Sequence, residues 1–335
     1  MPQLISVKSA SARHATNKNI RVQWNMGNSC NYDCVYCPPI LHDGSRPWLP
    51  LDIYIATIEK ICNHYNNIGR RVDFELIGGE VTVIPGFEQI MKTISAYNTT
   101  STVFTNASRT IKWWSNAKHY IDSAVLTFHP LSQEKDHFIN VINEIKNDVH
   151  ISINIAGVGG KVEELSRWAE YIRGLFVDGN INTYHNISIC VKTMYKKLLG
   201  ANSKQETFWN YEDSEIDVLK KPSIKTQENI KEYTQQNPDP KDWMTELLYD
   251  DGTVQYFQNH QILHENLNKF KGMKCELGYD SINISPTGDI TGSWCGAVNF
   301  GNISSINDWQ LPTCETVCPY EFCNNVNDLN ITKVR

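Results

Sequence analysis

The chain has 335 residues and a formal net charge of −6. Hydrophobic residues make up 41% and charged residues 20%, the composition of an ordinary globular protein. This acidic balance gives no general attraction to nucleic acid or to an anionic membrane. No run of about 18 apolar residues predicts a membrane span, and the first residues lack the apolar segment of a signal peptide. We therefore expect a cytoplasmic protein that binds neither nucleic acid nor membrane.

Residues 20–192 alternate strand-like and helix-like segments, after a first segment, 1–19, that we expect to be a loose leader. The predicted strands are 21–26, 72–77, 101–105, 124–129, 151–156 and 187–192. The predicted helices between them are 51–65, 86–96, 110–119, 132–146 and 162–173. Strands that alternate with helices of this length indicate parallel βαβ units, and hence an α/β fold.

Side chains alternate along these strands with a period of two. We expect the apolar face to pack against the helices and the polar face to line a central cavity that suits a polar ligand. The residues expected on the polar face are Gln23, Asn25, Thr127, His129, Asn154, Ser188, Cys190 and Lys192. The alternative is that single members of this set are half-exposed sheet residues. His129 either contacts substrate or, as is commoner for a lone histidine, only forms hydrogen bonds at the surface.

The rest of the chain divides into two parts. Residues 193–274 lose regularity and are expected to form a linker with a cap that faces the substrate, although Asp251-Gly252 predicts a hairpin turn. Residues 275–335 are expected to form a second compact unit, in which two short strands flank a turn at residues 286–289.

The ten cysteines are clustered. Three of them form the segment Cys30-Asn-Tyr-Asp-Cys34-Val-Tyr-Cys37, and five lie between Cys275 and Cys323. In a cytosolic protein, clustered cysteines bind metals more often than they form disulfides. Three thiolates on one loop can hold three irons of a [4Fe–4S] cluster and leave the fourth iron open, as catalytic metal sites leave one position open.

This C-x3-C-x2-C spacing, with Tyr36 before its last cysteine, resembles the radical S-adenosylmethionine (SAM) superfamily. The resemblance implies a partial (β/α)6 TIM-like barrel, with the cysteine loop at the C-terminal rim after the first strand. It also implies that Cys30, Cys34 and Cys37 hold the cluster that binds SAM, which is cleaved to a 5′-deoxyadenosyl radical. The alternative is a zinc knuckle or free thiols, for which His42 is the only nearby fourth ligand.

Further motifs extend the resemblance. Gly78-Gly79-Glu80 follows the second strand and is similar to the motif that binds the methionine amino group of SAM, although Val81 stands where the family usually has proline. Glycine permits close approach of the backbone, and a carboxylate favours the ammonium. Thr105-Asn106 resembles a family segment near SAM, but short polar residues also simply start turns. Asn154 is a weaker cofactor-binding candidate.

The C-terminal cysteines resemble the SPASM and twitch domains, which carry auxiliary [4Fe–4S] clusters. A full SPASM pattern has more cysteines than this chain offers, so the resemblance implies one auxiliary cluster in a small β-hairpin, cysteine-rich domain. Its expected ligands are Cys275, Cys295, Cys318 and Cys323, with Cys314 as an alternative. Four cysteines also suit a structural zinc ion, and this alternative stays open.

The resemblance implies an oxidoreductase or epimerase-type enzyme that receives electrons from a protein such as flavodoxin or ferredoxin. Its substrate is expected to be a ribosomally made peptide that is oxidised, epimerised or crosslinked. The alternative is a small polar metabolite such as a sugar, aminocyclitol or nucleotide sugar, and a third is a non-catalytic zinc-binding interaction protein. Cys190 is a speculative hydrogen-atom donor, a role that Cys314 would also suit, whereas Cys62 is expected to be a small core residue.

Overall fold

The computed structural model describes residues 2–9, 19–175, 188–194, 207–219, 244–312, 315–325 and 327–335. Strands β1 to β7 are Leu4–Lys8, Ile20–Asn25, Val72–Ile77, Thr99–Thr105, Ser123–Phe128, His150–Ala156 and Ser188–Lys192. Strands β8 to β15 are Thr245–Tyr249, Val254–Phe257, Lys274–Cys275, Ser281–Ile284, Asp289–Thr291, Asn299–Asn302, Thr316–Val317 and Lys333–Val334. Helices α1 to α7 are Leu51–Asn67, Phe87–Ser95, Ile111–Ala117, Lys135–Ile145, Val162–Leu175, Asp213–Leu219 and Asn259–His264.

The main sheet contains six parallel strands, β2 to β7, in the order in which they follow along the chain. Helices α1 to α5 lie between these strands in the sequence. The α/β class and the six predicted strands are therefore confirmed, with ends that differ by one or two residues. The described part of the sheet is open, because β7 lies at one edge and β13 at the other.

The helices cover one face of this sheet. In α1 the buried side chains recur at helical spacing, as an amphipathic helix requires: Tyr54, Thr57, Ile58, Ile61, Cys62 and Tyr65. All of them except Thr57 belong to one hydrophobic core with the apolar strand residues Val22, Phe74 and Val103. Burial of this face is the main driving force for the fold. Cys62 is fully buried, as expected of a core residue.

The opposite face of the parallel strands is polar and half-buried. Gln23, Asn25, Thr127 and Asn154 alternate with buried apolar residues on their strands, and Cys190 is also half-buried. The period-two prediction is thus confirmed for these side chains. Lys192 is exposed, and the side chain of Ser188 lies outside the described residues. Glu75 also lies on the polar face, beside Gln23 on the neighbouring strand.

The C-terminal part extends the main sheet. The predicted hairpin of residues 281–291 is present as β11 and β12, and β13 follows as a third strand. Strand β11 then pairs in parallel with β2, which places Asn283 opposite Gln23. Instead of packing as a separate hairpin, these residues continue the sheet beyond its first parallel strand. The predicted domain boundaries stay predictions.

A second sheet has the strand order β14-β10-β15-β1-β8-β9. Residues 4–8, which were expected to be part of a loose leader, form its strand β1 between β15 and β8. Residues 245–257, expected in an irregular segment, form the hairpin β8–β9, and its turn at Asp251-Gly252 is the predicted one. Short strands of this kind are stable only through such distant partners, which a local sequence pattern does not contain.

Helix α1 and the residues just after it contact the C-terminal part of the chain at residues 278–280. Tyr65 donates a hydrogen bond from its hydroxyl group to the carbonyl oxygen of Gly278 at 2.8 Å. Arg70, just after the helix, forms a largely buried ion pair with Asp280 at 3.0 Å and also donates to the carbonyl of Tyr279. These contacts fix the C-terminal residues against the first helix of the main sheet. Among the described helices, none combines the length and apolar character needed to cross a membrane.

Candidate cofactor site

The three-cysteine loop begins just past the carboxyl end of β2, where catalytic groups of parallel α/β folds commonly lie. Asn28 holds the loop closed. Its side-chain amide donates to the carbonyl of Ile40 at 2.8 Å and to the Asp43 carboxylate at 2.6 Å, and its oxygen accepts from the Arg46 amide at 2.8 Å. Asn28 is buried, and its polar atoms are paired, as buried polar atoms usually are. Since Asn28 precedes the cysteines and its partners follow them, these hydrogen bonds join both ends of the loop.

The thiols of this loop share one poorly solvated region. Burial, followed by the charges of Cys34 and Cys30, raises the pKa of the Cys37 thiol to about 12. Burial is also the largest cause that raises the pKa of Cys30, and Glu80 and Cys34 add to it. The negative charge of each thiolate disfavours ionisation of the other two thiols. The three can all be ionised only when positive charge lies between them, as the metal ions of a bound cluster provide. The three thiols therefore fit a cluster.

The Gly78-Gly79 segment packs directly against the start of the cysteine loop. The amide of Gly79 donates to the carbonyl of Gly27 at 3.0 Å, and the amide of Glu80 donates to that of Ser29 at 3.0 Å. A Cβ atom on Gly78 would lie 2.6 Å from the Gly27 oxygen, and one on Gly79 would overlap Ser29. Glycine is required here because the two backbone segments touch each other.

The Glu80 carboxylate is fully buried, with hydrogen bonds to the ends of two strands. One oxygen accepts from the Thr82 amide at 3.0 Å and from the Thr105 hydroxyl at 2.7 Å, and the other accepts from the Asn106 amide at 2.6 Å. Burial raises the pKa of this carboxyl, while these bonds lower it. In the structure Glu80 joins the end of β3 to the end of β4; its interaction with SAM stays a prediction.

Asn106 starts a turn, which is one of the two interpretations that the sequence left open, while its place near SAM stays a prediction. Its side-chain oxygen accepts from the Ser108 amide at 3.0 Å, which is a turn-starting contact. Its side-chain nitrogen donates to Asn31 at 2.9 Å and lies 3.9 Å from the sulfur of Cys30. Asn106 therefore both starts the turn after β4 and contacts the cysteine loop.

His129 contacts the central cysteine, which the sequence did not suggest. Its Nδ1 atom lies 3.5 Å from the Cys34 sulfur and 3.0 Å from the Tyr36 hydroxyl, and its ring is parallel to that of Tyr36, with the ring centroids 6.0 Å apart. Burial lowers the pKa of this imidazole to about 4, so the ring is neutral near pH 7. Ser132 adds a hydroxyl 3.6 Å from the same sulfur. His129 is thus half-buried and bonded to the cysteine loop, and its contact with substrate stays a prediction.

His42, the fourth ligand that the zinc alternative needs, makes other contacts. It uses Nε2 on the Cys37 carbonyl at 3.0 Å and turns Nδ1 towards Asp33 at 3.5 Å. Across the described residues, no three His, Cys, Asp or Glu side chains are grouped to hold one metal ion. In a cluster, the cysteines bind different irons, so they stand farther apart than the ligands of one ion.

Four C-terminal cysteines come together in the core of the second sheet: Cys275, Cys295, Cys318 and Cys323. Burial raises the pKa of Cys275 to about 11 and that of Cys323 to about 12, and the charges of other members of the set add to both shifts. These are the four ligands expected from the sequence, although their binding of a cluster stays a prediction. Cys314 lies outside the described residues, and no disulfide links the nine described cysteines.

Cys190 and Asn154 form a pair on the polar face. The Cys190 thiol donates to the side-chain oxygen of Asn154 at 3.3 Å, across the neighbouring strands β7 and β6. Both side chains are half-buried. The described contacts of Asn154 do not include the cysteine loop, so its assignment to SAM remains a prediction, as does that of Cys190 to hydrogen-atom transfer.

Comparisons with known proteins give structural neighbours only. No family model matches the sequence, and no curated protein matches it. Native anSMEcpe with bound AdoMet is similar over 87% of this chain and 81% of its own, with 13% identity and a TM-score of 0.48. Streptococcus suis SuiB bound to S-adenosylmethionine is similar over 88% of this chain and 64% of its own, with 13% identity and a TM-score of 0.47.

A third structure, SuiB bound to its precursor peptide SuiA, is similar over 93% of this chain and 64% of its own, with 13% identity and a TM-score of 0.45. These neighbours are radical SAM enzymes. This chain spans less than two thirds of the SuiB structures. Because the identities and TM-scores are low, the similarity carries no argument about function, which must come from the chain's own residues.

Proposed function

We propose that this chain is a radical SAM enzyme in which Cys30, Cys34 and Cys37 hold a [4Fe–4S] cluster. The observation that carries this proposal is the contact between two chain segments: the backbone of Gly79 and Glu80 is hydrogen-bonded to that of Gly27 and Ser29, immediately before Cys30. A loop with three cysteines and a Gly-Gly-Glu segment at adjacent strand ends is the arrangement that the resemblance implies.

A cluster held by these cysteines would supply one electron for reductive cleavage of SAM to a 5′-deoxyadenosyl radical, the species that abstracts hydrogen from a substrate carbon. The chain's own residues prepare the site. Asn28 keeps the cysteine loop closed, and Glu80 fixes the ends of β3 and β4 beside it. The side chains of His129 and Tyr36 cover the Cys34 thiol and keep water from it. We assign Gly78, Gly79, Glu80, Thr105 and Asn106 to the SAM side of the loop.

We propose a partial (β/α)6 barrel for the six parallel strands, with its active site at their carboxyl ends. The cysteines of the second core, Cys275, Cys295, Cys318 and Cys323, would hold one auxiliary [4Fe–4S] cluster in a SPASM- or twitch-like region. The enzyme would act in the cytoplasm with flavodoxin or ferredoxin as electron donor. These assignments follow from the resemblance and from the burial of the cysteines.

For the substrate we propose a ribosomally made peptide, since the resemblance extends to C-terminal domains typical of peptide-modifying enzymes. A second candidate is a small polar metabolite such as a sugar or nucleotide sugar. The observation that favours it is the polar, half-buried face of the sheet, where Gln23, Glu75 and Asn154 offer hydrogen-bonding groups. Incubation with a peptide encoded beside the gene, and separately with sugar nucleotides, distinguishes the two by the product's mass.

Cys190 is proposed as a hydrogen-atom donor for an epimerase reaction. Its support is its position on the polar face, where the thiol is half-buried and bonded to Asn154. If Cys190 donates hydrogen, the product formed in deuterated water carries solvent deuterium, and Cys190→Ala abolishes that incorporation while SAM cleavage continues. Unchanged product formation in Cys190→Ala combined with Cys314→Ala would contradict the proposal for both thiols.

The experiment that tests the main proposal is iron and sulfide analysis after anaerobic reconstitution. We expect roughly eight irons per chain in the natural protein and about four in a Cys30/Cys34/Cys37→Ala variant. The natural protein should also release 5′-deoxyadenosine from SAM with a chemical reductant, whereas the variant should not. Stoichiometric zinc without iron would instead support the non-catalytic zinc-binding alternative.

A further inference from the structure

Lys333 lies in the interior beside the C-terminal cysteines. Its side chain is 1% exposed, which is unusual for a lysine. Strand β15 places it directly opposite Cys275 of β10 in an antiparallel pair. Opposed residues of such a pair project from the same face of the sheet. The ammonium-bearing side chain and the first thiol therefore occupy the same side of one small core.

The described partners of the Lys333 ammonium are neutral. It donates to the carbonyl oxygens of Asp328 at 2.7 Å and Ile331 at 2.8 Å, and it lies 5.0 Å from the ring centroid of Phe270. These contacts satisfy hydrogen bonds but do not cancel a charge. No carboxylate of the described residues lies within 4.0 Å of it. The carboxylate of Asp328 is buried in the same region. Burial raises its pKa and the charge of Lys333 opposes that shift, so this acid interacts with the ammonium without contacting it. A buried charge that contacts no opposite charge is unfavourable.

The cysteines lie in the same core as this lysine. Cys275, Cys318 and Cys323 are buried in it, and the half-buried Cys295 packs against it. The register of β10 and β15 therefore brings the lysine to the side of the core that holds Cys275. A group with net negative charge on these sulfurs would compensate the lysine, whereas four neutral thiols or two disulfides would not.

We propose that Lys333 is the buried counter-cation of an anionic metal–thiolate group held by Cys275, Cys295, Cys318 and Cys323. This inference rests on the proposed function only in taking that group to be the auxiliary cluster. A fixed cation favours the redox state with more negative charge. Lys333 is therefore a positioning residue that raises the reduction potential of the cluster and retains it in the core.

The test compares Lys333→Met with a matched control, Lys60→Met. Lys60 also donates to two backbone carbonyls, those of Ile306 at 2.7 Å and Trp309 at 2.6 Å, and lies 4.0 Å from the Trp309 ring centroid. Its replacement removes the same kinds of contact in the main core, to which Trp309 belongs, and not in the second core. Both variants, and Lys333→Arg, are prepared in the Cys30/Cys34/Cys37→Ala background, so that only the auxiliary group is observed.

The measurements are iron per chain, the rate of iron loss to a chelator, and the midpoint potential from a titration followed by electron paramagnetic resonance. We expect Lys333→Met to lower the potential and to lose iron several-fold faster, while Lys60→Met changes neither and Lys333→Arg restores both. If Lys333→Met does not fold, Lys333→Gln replaces it, since its amide still donates hydrogen bonds without charge.

Equal potentials and equal iron loss in the lysine-free variants and Lys60→Met would overturn the role of Lys333. Absence of any metal in the Cys30/Cys34/Cys37→Ala background would instead overturn the proposed auxiliary site. Neither result bears on the cluster proposed for Cys30, Cys34 and Cys37, which is tested separately in the protein that keeps these cysteines. Failure of this inference is therefore distinguishable from failure of the proposed function.

Discussion

The amide of Glu80 donates a hydrogen bond to the carbonyl oxygen of Ser29 at 3.0 Å, and this bond joins the Gly-Gly-Glu segment to the cysteine loop. The contact lies one residue before Cys30. It makes the position of the first cysteine dependent on the glycines that follow β3. Two motifs that are separate in the sequence are therefore one structural unit at the carboxyl ends of β2 and β3.

We expect Gly79→Ala to prevent assembly of the barrel cluster. The new methyl group would overlap the backbone of Ser29 and displace the loop at Cys30. Iron per chain should fall by about half, to about four, because the nearest atoms that the new methyl group would meet belong to Asn28 and Ser29 and not to the C-terminal cysteines. The control is Gly174→Ala, an exposed helical position where a methyl group meets nothing within 4 Å. Full iron content in Gly79→Ala would contradict the structural role of this contact.

His129 is predicted to raise the reduction potential of the barrel cluster. A thiolate at Cys34 can only accept hydrogen bonds, so Nδ1 of the imidazole, 3.5 Å from its sulfur, donates to it in the tautomer that carries the proton on Nδ1. Loss of a donor to a ligand sulfur destabilises the more negative, reduced state, so His129→Leu should shift the midpoint potential downwards. The nearby His137, which contacts the Ala107 carbonyl instead, provides the control His137→Leu. Identical potentials in the two variants would exclude this effect.

The parallel strands and the clustering of motifs at their ends were predictable from sequence. Buried and half-buried residues alternate along β3 and along most of β6, and the carboxyl ends of neighbouring parallel strands lie at one edge of a sheet, which places the segments of Cys30 and Gly79 at the same edge. The contacts of Asn28 and His129 were not predicted. Asn28 closes a loop whose shape has no periodic signal, and His129 reaches Cys34 across 95 positions of the chain.

The second sheet was predicted least well. Residues 4–8 pair with residues 333–334, and β11 pairs with β2, over separations that leave no local pattern. Burial of Lys333 also contradicts the ordinary expectation that a lysine is exposed. The C-terminal cysteines themselves were identified from the sequence. Ligands of one site can be distant in the chain, but their residue type and spacing are still recognisable.

Cys62 should be structural and unreactive. It is fully buried on α1, and burial raises the pKa of its thiol to about 12. Cys62→Ser would place a hydroxyl among apolar side chains and should cost about 1–3 kcal/mol of stability. We expect a lower Tm with unchanged iron per chain, whereas Cys37→Ser should lower the iron content. Loss of iron in Cys62→Ser, with the fold intact by circular dichroism, would contradict this assignment.

Glu75 should make stability depend on pH with a definite sign. Its carboxylate lies on the polar face and accepts from the Gln23 amide at 3.0 Å. Burial is the main cause that raises its pKa in the folded state, and Asp73 adds to it, while Arg21 and the hydrogen bond oppose the shift. Between its unfolded pKa, about 4.3, and the higher folded value, the native state binds more protons than the unfolded state, so stability falls as pH rises.

Glu75→Gln removes this ionisation and retains a hydrogen-bond acceptor for Gln23. We therefore expect the variant to have a higher Tm than the natural protein at pH 7, where the whole cost of ionising Glu75 in the folded state is present. The difference should shrink as pH falls and vanish below about pH 4.3, where the carboxyl is protonated in both states. Thermal unfolding of both proteins over a pH series measures it. A difference that does not change with pH would show that Glu75 ionises as easily in the folded protein as in the unfolded chain.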